Sequence, residues 1–192
     1  MAFWDQWIGI VKNPEAEFGK AIYDASLASA LFQMILASVL VGSMSALATY
    51  FSVPQELAAS LPLFLAASMA MSGLSVFFGW LLLSFIVLAL SRITEGKGSF
   101  ALQSYLVALF LAPLSVVSAL LSFVPFGEFL VFLLFFYNLY LLFLSVKVCH
   151  GFDVKKAAIV VVLSLFLIIV LAGVINAIFS LFMVQPEAVL VI

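Results

Sequence analysis

The chain has 192 residues, of which 67% are hydrophobic and only 8% are charged, and its formal net charge is -2. A soluble domain is usually about 45–50% apolar and about 25% charged, so a chain of this composition cannot cover itself with a hydrated surface. The small negative charge and the lack of a basic stripe exclude a nucleic-acid-binding protein. We therefore predict an all-α integral membrane protein whose surface is solvated by the lipid bilayer.

Residues 1–25 are predicted to form an amphipathic helix that lies at the membrane interface. Apolar side chains recur at helical spacing, which is typical of an interfacial helix, and tryptophan favours the headgroup level. These side chains are Phe3, Trp4, Trp7, Ile8 and Val11. Asn13-Pro14 predicts a helix start, with Asn13 as the cap and Pro14 in the first turn. Six charges interrupt this segment, so we do not expect a cleaved signal peptide.

Residues 26–192 are predicted to form one bundle of five spanning helices, because a span needs about 20 mostly apolar residues. The predicted spans are 27–50, 63–90, 100–123, 128–149 and 154–183. Pro113 lies inside the third span and is expected to kink it. The short segment 124–127 predicts an antiparallel hairpin of the third and fourth spans. Gly151 is expected to end the fourth span, and Asp153 to cap the fifth.

Small residues form two faces that favour close contact between membrane helices. The first span carries Gly42 and Ala46, four residues apart, and the second carries Ala66, Ala70 and Gly73. We predict that these faces pack helices together, and they are one reason to expect self-association of the protein.

All seven Lys and Arg residues fall on one side of a five-span chain. They are Lys12, Lys20, Arg92, Lys97, Lys147, Lys155 and Lys156, whereas the opposite side carries Glu56, Glu128 and Glu187. By the positive-inside rule we expect a cytoplasmic N-terminus and a C-terminus outside. A chain with four or six spans would place positive charge on both faces, so the charge pattern favours five.

The sequence predicts no catalytic, cofactor or metal site. No ionisable residue lies deep in a predicted span, as a proton-coupled pump or a carboxylate-based hydrolase would require. Cys149, His150 and Asp153 lie within one turn, which is a weak spacing for metal ligands. We expect His150 to be a surface histidine near anionic headgroups.

Two residue sets are candidate functional sites. Tyr137, Asn138 and Tyr140 form a possible polar patch inside the fourth span. One interpretation is that the patch lines a polar cavity. We favour the other, in which Asn138 holds helices together by a hydrogen bond. The second set is a candidate cytoplasmic face for anionic lipids or partners. It consists of Arg92, Lys97, Lys147, His150, Lys155 and Lys156. The alternative is that these charges only determine topology.

Three short motifs, in this order among five spans, resemble the Yip (Ypt-interacting protein) domain family. The first is Asn13-Pro14 followed by Phe18. The second is Gly96-Lys-Gly-Ser-Phe100, with Pro113 farther along the span. The third is Tyr140-Leu with Val148-Cys-His-Gly151 and then Lys156-Ala157.

The resemblance implies a five-span protein with a cytoplasmic N-terminus. Eukaryotic members act in vesicle trafficking and bind prenylated Rab GTPases and one another. This chain lacks their long polar N-terminal region and resembles the compact prokaryotic type, so Rab binding is not carried over. The resemblance places it in the cytoplasmic membrane of a prokaryote.

The leading functional hypothesis is a non-enzymatic scaffold or adaptor in membrane organisation or trafficking, which associates with itself or with other membrane proteins. The alternative is a small-solute transporter or channel that uses the Pro113 kink and the Tyr137/Asn138 patch as a pathway. An intramembrane enzyme is the third hypothesis, and it would need a deep reactive cluster that the sequence does not contain.

Overall fold

A computed structural model describes residues 3–54 and 60–183, and within these ranges the chain forms seven α-helices. They are α1 (Phe3–Lys12), α2 (Pro14–Asp24), α3 (Leu27–Ser52), α4 (Leu61–Ile93), α5 (Phe100–Leu121), α6 (Gly127–His150) and α7 (Val154–Met183). The last five are long and apolar enough to cross a membrane. The predicted all-α bundle with five spanning helices is confirmed. Glu56 and Glu187 lie outside the described residues.

The predicted ends of the spans differ from the helices by a few residues. The largest difference is in α4, which was predicted as 63–90 and extends over Leu61–Ile93. Pro62 lies in its first turn, where the missing N–H costs no hydrogen bond. The third span ends at Leu121 rather than at residue 123. This helix, α5, continues through Pro113 without a break.

Helix α5 lies at the centre of the bundle. It packs against α3, α4 and α6, and the two short helices α1 and α2 also contact it. Every residue from Gln103 to Phe110 is buried. Most of the described part of α7 is exposed, because within the described residues this helix contacts only α4 and α6. The exposed surface of the long helices is rich in Phe, Leu, Ile and Val, as expected where lipid replaces water.

The N-terminal segment forms two helices, and both dock against the bundle. The amide of Asn13 donates to the Gly9 carbonyl at the end of α1, and Pro14 then opens α2, as predicted. The Asn13 side chain makes no capping hydrogen bond, so the predicted cap is wrong in that detail. Trp7, Ile10 and Phe18 are buried against the bundle. The interfacial position of residues 1–25 stays a prediction.

The connections on either side of α6 follow the predicted turns. A Cβ on Gly127 would overlap the Leu121 carbonyl, so the tight α5–α6 hairpin requires glycine there. Gly151 ends α6 in the left-handed conformation, with φ of 67°. An Asp153 carboxylate oxygen accepts from the Lys156 amide at 2.8 Å and thereby caps α7.

Two glycines let α3 and α4 pack closely within the chain. A Cβ on Gly42 would lie 2.5 Å from the Met69 carbonyl oxygen, and one on Gly73 would lie 2.9 Å from the Ser38 carbonyl oxygen. The Ser72 hydroxyl donates to Ser45 Oγ between the same helices. Ala66 and Ala70 are exposed beside this contact, and Ala46 is half-buried. Self-association through these small residues stays a prediction.

Candidate functional site

The loop between α4 and α5 is held against the end of α6. Arg92 Nη2 donates to the Gly98 carbonyl at 2.9 Å, and Nη1 lies 3.4 Å from the Gly96 carbonyl. The Gly98 amide donates to His150 Nδ1 at 3.1 Å. We call the region formed by residues 91–100 and 147–157 the basic end.

His150 lies in the interior of the basic end. Its ring is 3% exposed and stacks on Phe152. Because Nδ1 accepts from Gly98, the neutral ring carries its proton on Nε2, which donates to Gln103 Oε1 at 3.0 Å. Both ring nitrogens are therefore used within the protein. The expectation of a surface histidine is wrong, because the loop covers the ring and satisfies both of its nitrogens.

The two glycines of the loop allow this contact. A Cβ on Gly96 would lie 2.6 Å from His150 Nδ1, and one on Gly98 would lie 2.8 Å from the Cys149 carbonyl oxygen and would overlap its sulfur. Glu95, just before them, adopts a positive φ of 68° as the chain leaves α4. The segment Gly96-Lys-Gly-Ser99 is therefore a close-packed structural turn.

Lysine side chains surround this packed loop. Lys97, Lys155 and Lys156 are exposed, whereas Lys147 is half-buried. Lys156 pairs with Glu95 at 3.5 Å, and since both groups are well exposed the pair contributes little stability. Arg92 is exposed as a residue, but its guanidinium is used by the loop carbonyls. The six residues of the predicted face are thus three exposed lysines, the half-buried Lys147, and two residues, Arg92 and His150, that hold the loop.

The predicted polar patch of α6 is not one cluster. Asn138 lines a cavity of about 580 Å³ that is otherwise almost entirely apolar, with walls from all five long helices. Tyr137 instead donates its hydroxyl to the Val11 carbonyl of α1 at 2.9 Å, and Tyr140 lies beside Tyr137 on the exposed side. Residues 137, 138 and 140 share one helix but face different surroundings.

Asn138 does not form the predicted hydrogen bond between helices. Its Nδ2 donates to the Leu134 carbonyl one turn earlier in α6, at 3.0 Å. Its Oδ1 is buried without a partner among the described residues. Interhelical bonding of the expected kind comes from Gln33 instead, whose Oε1 accepts from Trp7 Nε1 at 2.8 Å. An amide in an apolar helix therefore does not by itself show whether it bonds to its own helix or to a neighbouring one.

Sequence reasoning missed Gln103 and the part that Arg92 plays. Gln103 is completely buried, and its Oε1 fixes the proton of His150, while its Nε2 has no partner within the part of the chain that the structure describes. The available signal was a polar amide one turn into an apolar helix. No local pattern pairs Gln103 with His150, because 47 residues separate them.

Two of the three motif segments of the sequence meet in the folded chain. The second and third segments form the basic end, where Gly96 and Gly98 cover Cys149 and His150. In the first segment, Phe18 packs edge-on against Phe110 of α5. A family model of the Yip1 domain matches residues 8–175 and therefore includes all these contacts. The chain belongs to the Yip1 domain family. No curated protein and no solved structure matches it.

Membership in the Yip1 family and five helices of spanning length establish an integral membrane protein. Within the described residues, no group of three His, Cys, Asp or Glu side chains could hold a metal ion. The Yip1 motifs thus coincide with a close-packed loop at one end of the bundle and with a short docked helix.

Proposed function

We propose that this Yip1 domain is a non-enzymatic membrane scaffold or adaptor whose basic end contacts anionic lipids and other membrane proteins. The observation that supports this most is the construction of the basic end. A buried hydrogen bond to His150 and a partly buried one from Arg92 hold the loop, and Lys97, Lys155 and Lys156 project around it. A surface held in one conformation loses little entropy when a partner binds.

The charge pattern supports a cytoplasmic location for this end. Lys and Arg concentrate on the cytoplasmic side of membrane proteins, and the cytoplasmic leaflet carries anionic lipids. Each exposed lysine close to such a surface contributes about 1 kcal/mol of attraction. We infer that the protein lies in the cytoplasmic membrane of a prokaryote with its N-terminus inside and its C-terminus outside.

The test is native mass spectrometry of the protein released from nanodiscs that contain phosphatidylglycerol and phosphatidylcholine. We expect wild type to retain phosphatidylglycerol, and we expect the double variant Lys155→Gln/Lys156→Gln to retain less. Lys12→Gln/Lys20→Gln is the matched control, since it removes the same charge from α1 and α2, and Lys20 pairs with Glu17 as Lys156 pairs with Glu95. Equal retention by all three proteins would contradict lipid binding at the basic end.

The same spectra test the scaffold proposal. A discrete oligomer, or a stoichiometric protein partner, would support it. A bare monomer from every nanodisc composition, with no co-purified protein, would count against it and would favour the second candidate.

The second candidate is a transporter or channel for a small, largely apolar solute. It is favoured by the open cavity of about 580 Å³ beside Asn138, because all five long helices contribute to its wall. The unpartnered Asn138 Oδ1 is a hydrogen-bond acceptor in that wall. Flux into proteoliposomes above that of empty vesicles, reduced by Asn138→Leu, would support transport, and flux equal to empty vesicles would exclude it.

A further inference from the structure

A second cavity lies between the docked N-terminal helices and the bundle. Its volume is about 480 Å³, and polar side chains make up much of its wall. It is lined by Gln6 of α1, Asp24 of α2, four residues of α3 and Tyr105 of α5. The four residues of α3 are Ala28, Ser29, Phe32 and Gln33. This cavity, which we call the Asp24 pocket, is separate from the Asn138 cavity and from the basic end.

Buried polar groups give the Asp24 pocket a fixed wall. Gln33 is 2% exposed and Tyr105 is 1% exposed. Trp7 Nε1 donates to Gln33 Oε1 at 2.8 Å, and the Tyr105 hydroxyl donates to Gln6 Oε1 at 3.3 Å. Since the Tyr105 proton is used in that bond, its phenol oxygen is left to accept a further hydrogen bond.

The charge of the Asp24 pocket favours a cation. Asp24 is an exposed residue at the end of α2, and it is the only charged one among the described residues of the wall. No Lys or Arg of the described chain pairs with it. The nearest lysine on the same helix, Lys20, is bonded to Glu17 at 2.7 Å. A carboxylate and a phenol oxygen together suit an ammonium group, which has three donors and no acceptor.

The start of α3 adds a place for an anion beside that cation. Ser26 Oγ caps the Ser29 amide, and the Ser26 carbonyl accepts from Ala30. The amides of Leu27 and Ala28 have no hydrogen-bond acceptor within the helix, and they lie at the positive end of the helix dipole. Ala28 is itself part of the pocket wall. A ligand with adjacent positive and negative groups therefore fits better than a lone cation.

The Asp24 pocket lies near the ends at which α3 and α5 begin. Tyr105 lies five residues after the start of α5, and Gln33 lies six residues after the start of α3. At about 1.5 Å per residue, both lie about 8–9 Å inside the ends of their helices. Both residues therefore lie closer to the end of their helix than to its middle.

We propose that the Asp24 pocket binds the phosphoethanolamine headgroup of a membrane phospholipid. The ammonium group donates to the Asp24 carboxylate and to the Tyr105 oxygen, and the phosphate accepts from the first turn of α3. Choline is a poor fit because its trimethylammonium has no N–H to donate to these oxygens. The bound lipid would contact α1, α2, α3 and α5 together, so it would strengthen the docking of the N-terminal helices.

The experiment is native mass spectrometry of the full chain released from nanodiscs of equal amounts of phosphatidylethanolamine and phosphatidylcholine. We expect one retained phosphatidylethanolamine per chain, in preference to phosphatidylcholine. Asp24→Asn should lower that retention about 10-fold, the effect of losing a charged hydrogen bond. Asp5→Asn is the matched control, since Asp5 is exposed as Asp24 is but lies outside the pocket wall, and it should behave as wild type.

Other outcomes overturn the proposal. Equal retention of the two lipids, or equal loss in the Asp24 and Asp5 variants, would show that the pocket does not select an ammonium group. Tyr105→Phe keeps the buried ring and should also reduce the preference, and an unchanged preference would remove Tyr105 from the site.

A further arm uses phosphatidylcholine nanodiscs with added free phosphoethanolamine. Binding of the free compound as tightly as of the lipid would overturn the lipid as the source while supporting the headgroup chemistry. None of these results depends on the basic end, so failure here is distinguishable from failure of the scaffold proposal.

Discussion

The amide of Gly98 reaches His150 Nδ1 because neither glycine of the α4–α5 loop carries a side chain. The same approach leaves Arg92 close enough to donate to the Gly98 carbonyl. Hydrogen bonds of this kind are worth about 1 kcal/mol each, but a buried donor left without a partner costs about 1–3 kcal/mol. At the residue scale, the shape of the basic end therefore depends on glycine at positions 96 and 98.

Replacing Gly98 with alanine should destabilise the protein, because the new Cβ would overlap Cys149 Sγ and lie 2.9 Å from His150 Cε1. Overpacking of this kind costs about 1–3 kcal/mol. The thermal unfolding midpoint in nanodiscs, followed by tryptophan fluorescence, should fall. Gly79→Ala is the control, since no heavy atom outside its own helix lies within 4 Å of a Cβ there. Equal midpoints for both variants would show that the loop does not pack on α6.

The burial of His150 could not be predicted from its residue type and its place in the sequence. A lone histidine at the polar end of a spanning helix is compatible with an exposed side chain, and we predicted one. The ring is buried because Gly98 and Gln103, which lie 52 and 47 residues away in sequence, supply partners for both nitrogens. Nothing local in residues 147–153 determines that contact.

At the element scale, helix α1 has two apolar faces, and the hydrophobic spacing does not distinguish them. Trp7 and Ile10 face the bundle, whereas Trp4, Ile8 and Val11 are exposed. The spacing of the exposed set suits insertion into the headgroup region, as predicted for residues 1–25. The buried set adds the Trp7–Gln33 hydrogen bond, so the helix is held by the protein as well.

Trp7→Phe should loosen α1 selectively. The substitution removes the indole N–H that bonds to buried Gln33 and part of a buried ring, at a cost of about 1–3 kcal/mol. Amide hydrogen exchange in residues 3–12 should become about 10-fold faster or more, while α4 and α5 keep their protection. Trp4→Phe is the matched control because Trp4 is about half exposed. An exchange rate that responds equally to both substitutions would indicate that lipid alone holds α1.

The contact between α3 and α4 shows both the use and the limit of small-residue patterns. Gly42 and Gly73 were predicted at helix contacts, and the structure places both where α3 and α4 approach closely. Ala66 and Ala70 follow the same spacing but are exposed. A stripe of small residues predicts that another helix can approach closely. Only the packed structure decides which helix that is.

At the scale of the whole molecule, five long helices and an alternating distribution of charge give the bundle two different ends. Basic residues gather where α4 and α6 end and where α5 and α7 begin, whereas Glu128 lies at the opposite end of α6. Because ionised side chains are costly to move across a bilayer, this distribution should hold the protein in one orientation.

The orientation can be measured with cysteine labelling in intact cells. In a Cys149→Ser background, Lys97→Cys should be protected from a membrane-impermeant maleimide, because the basic end is predicted to be cytoplasmic. Glu128→Cys, at the other end of the bundle, should react. Both positions should react once the membrane is permeabilised, which controls for local access. Labelling of Lys97→Cys alone in intact cells would reverse the proposed topology.

The sequence by itself determined the membrane class, the number of long helices and most of their ends. These follow from apolar runs of spanning length and from Pro, Gly and Asp at the turns, which act locally. Only the tertiary structure decided that His150 is buried, that Asn138 lies in a cavity apart from Tyr137, and that Asp24 lines a polar pocket. Each of these depends on which helices become neighbours. In a chain whose spans are apolar on nearly every face, hydrophobic periodicity carries little information about that choice.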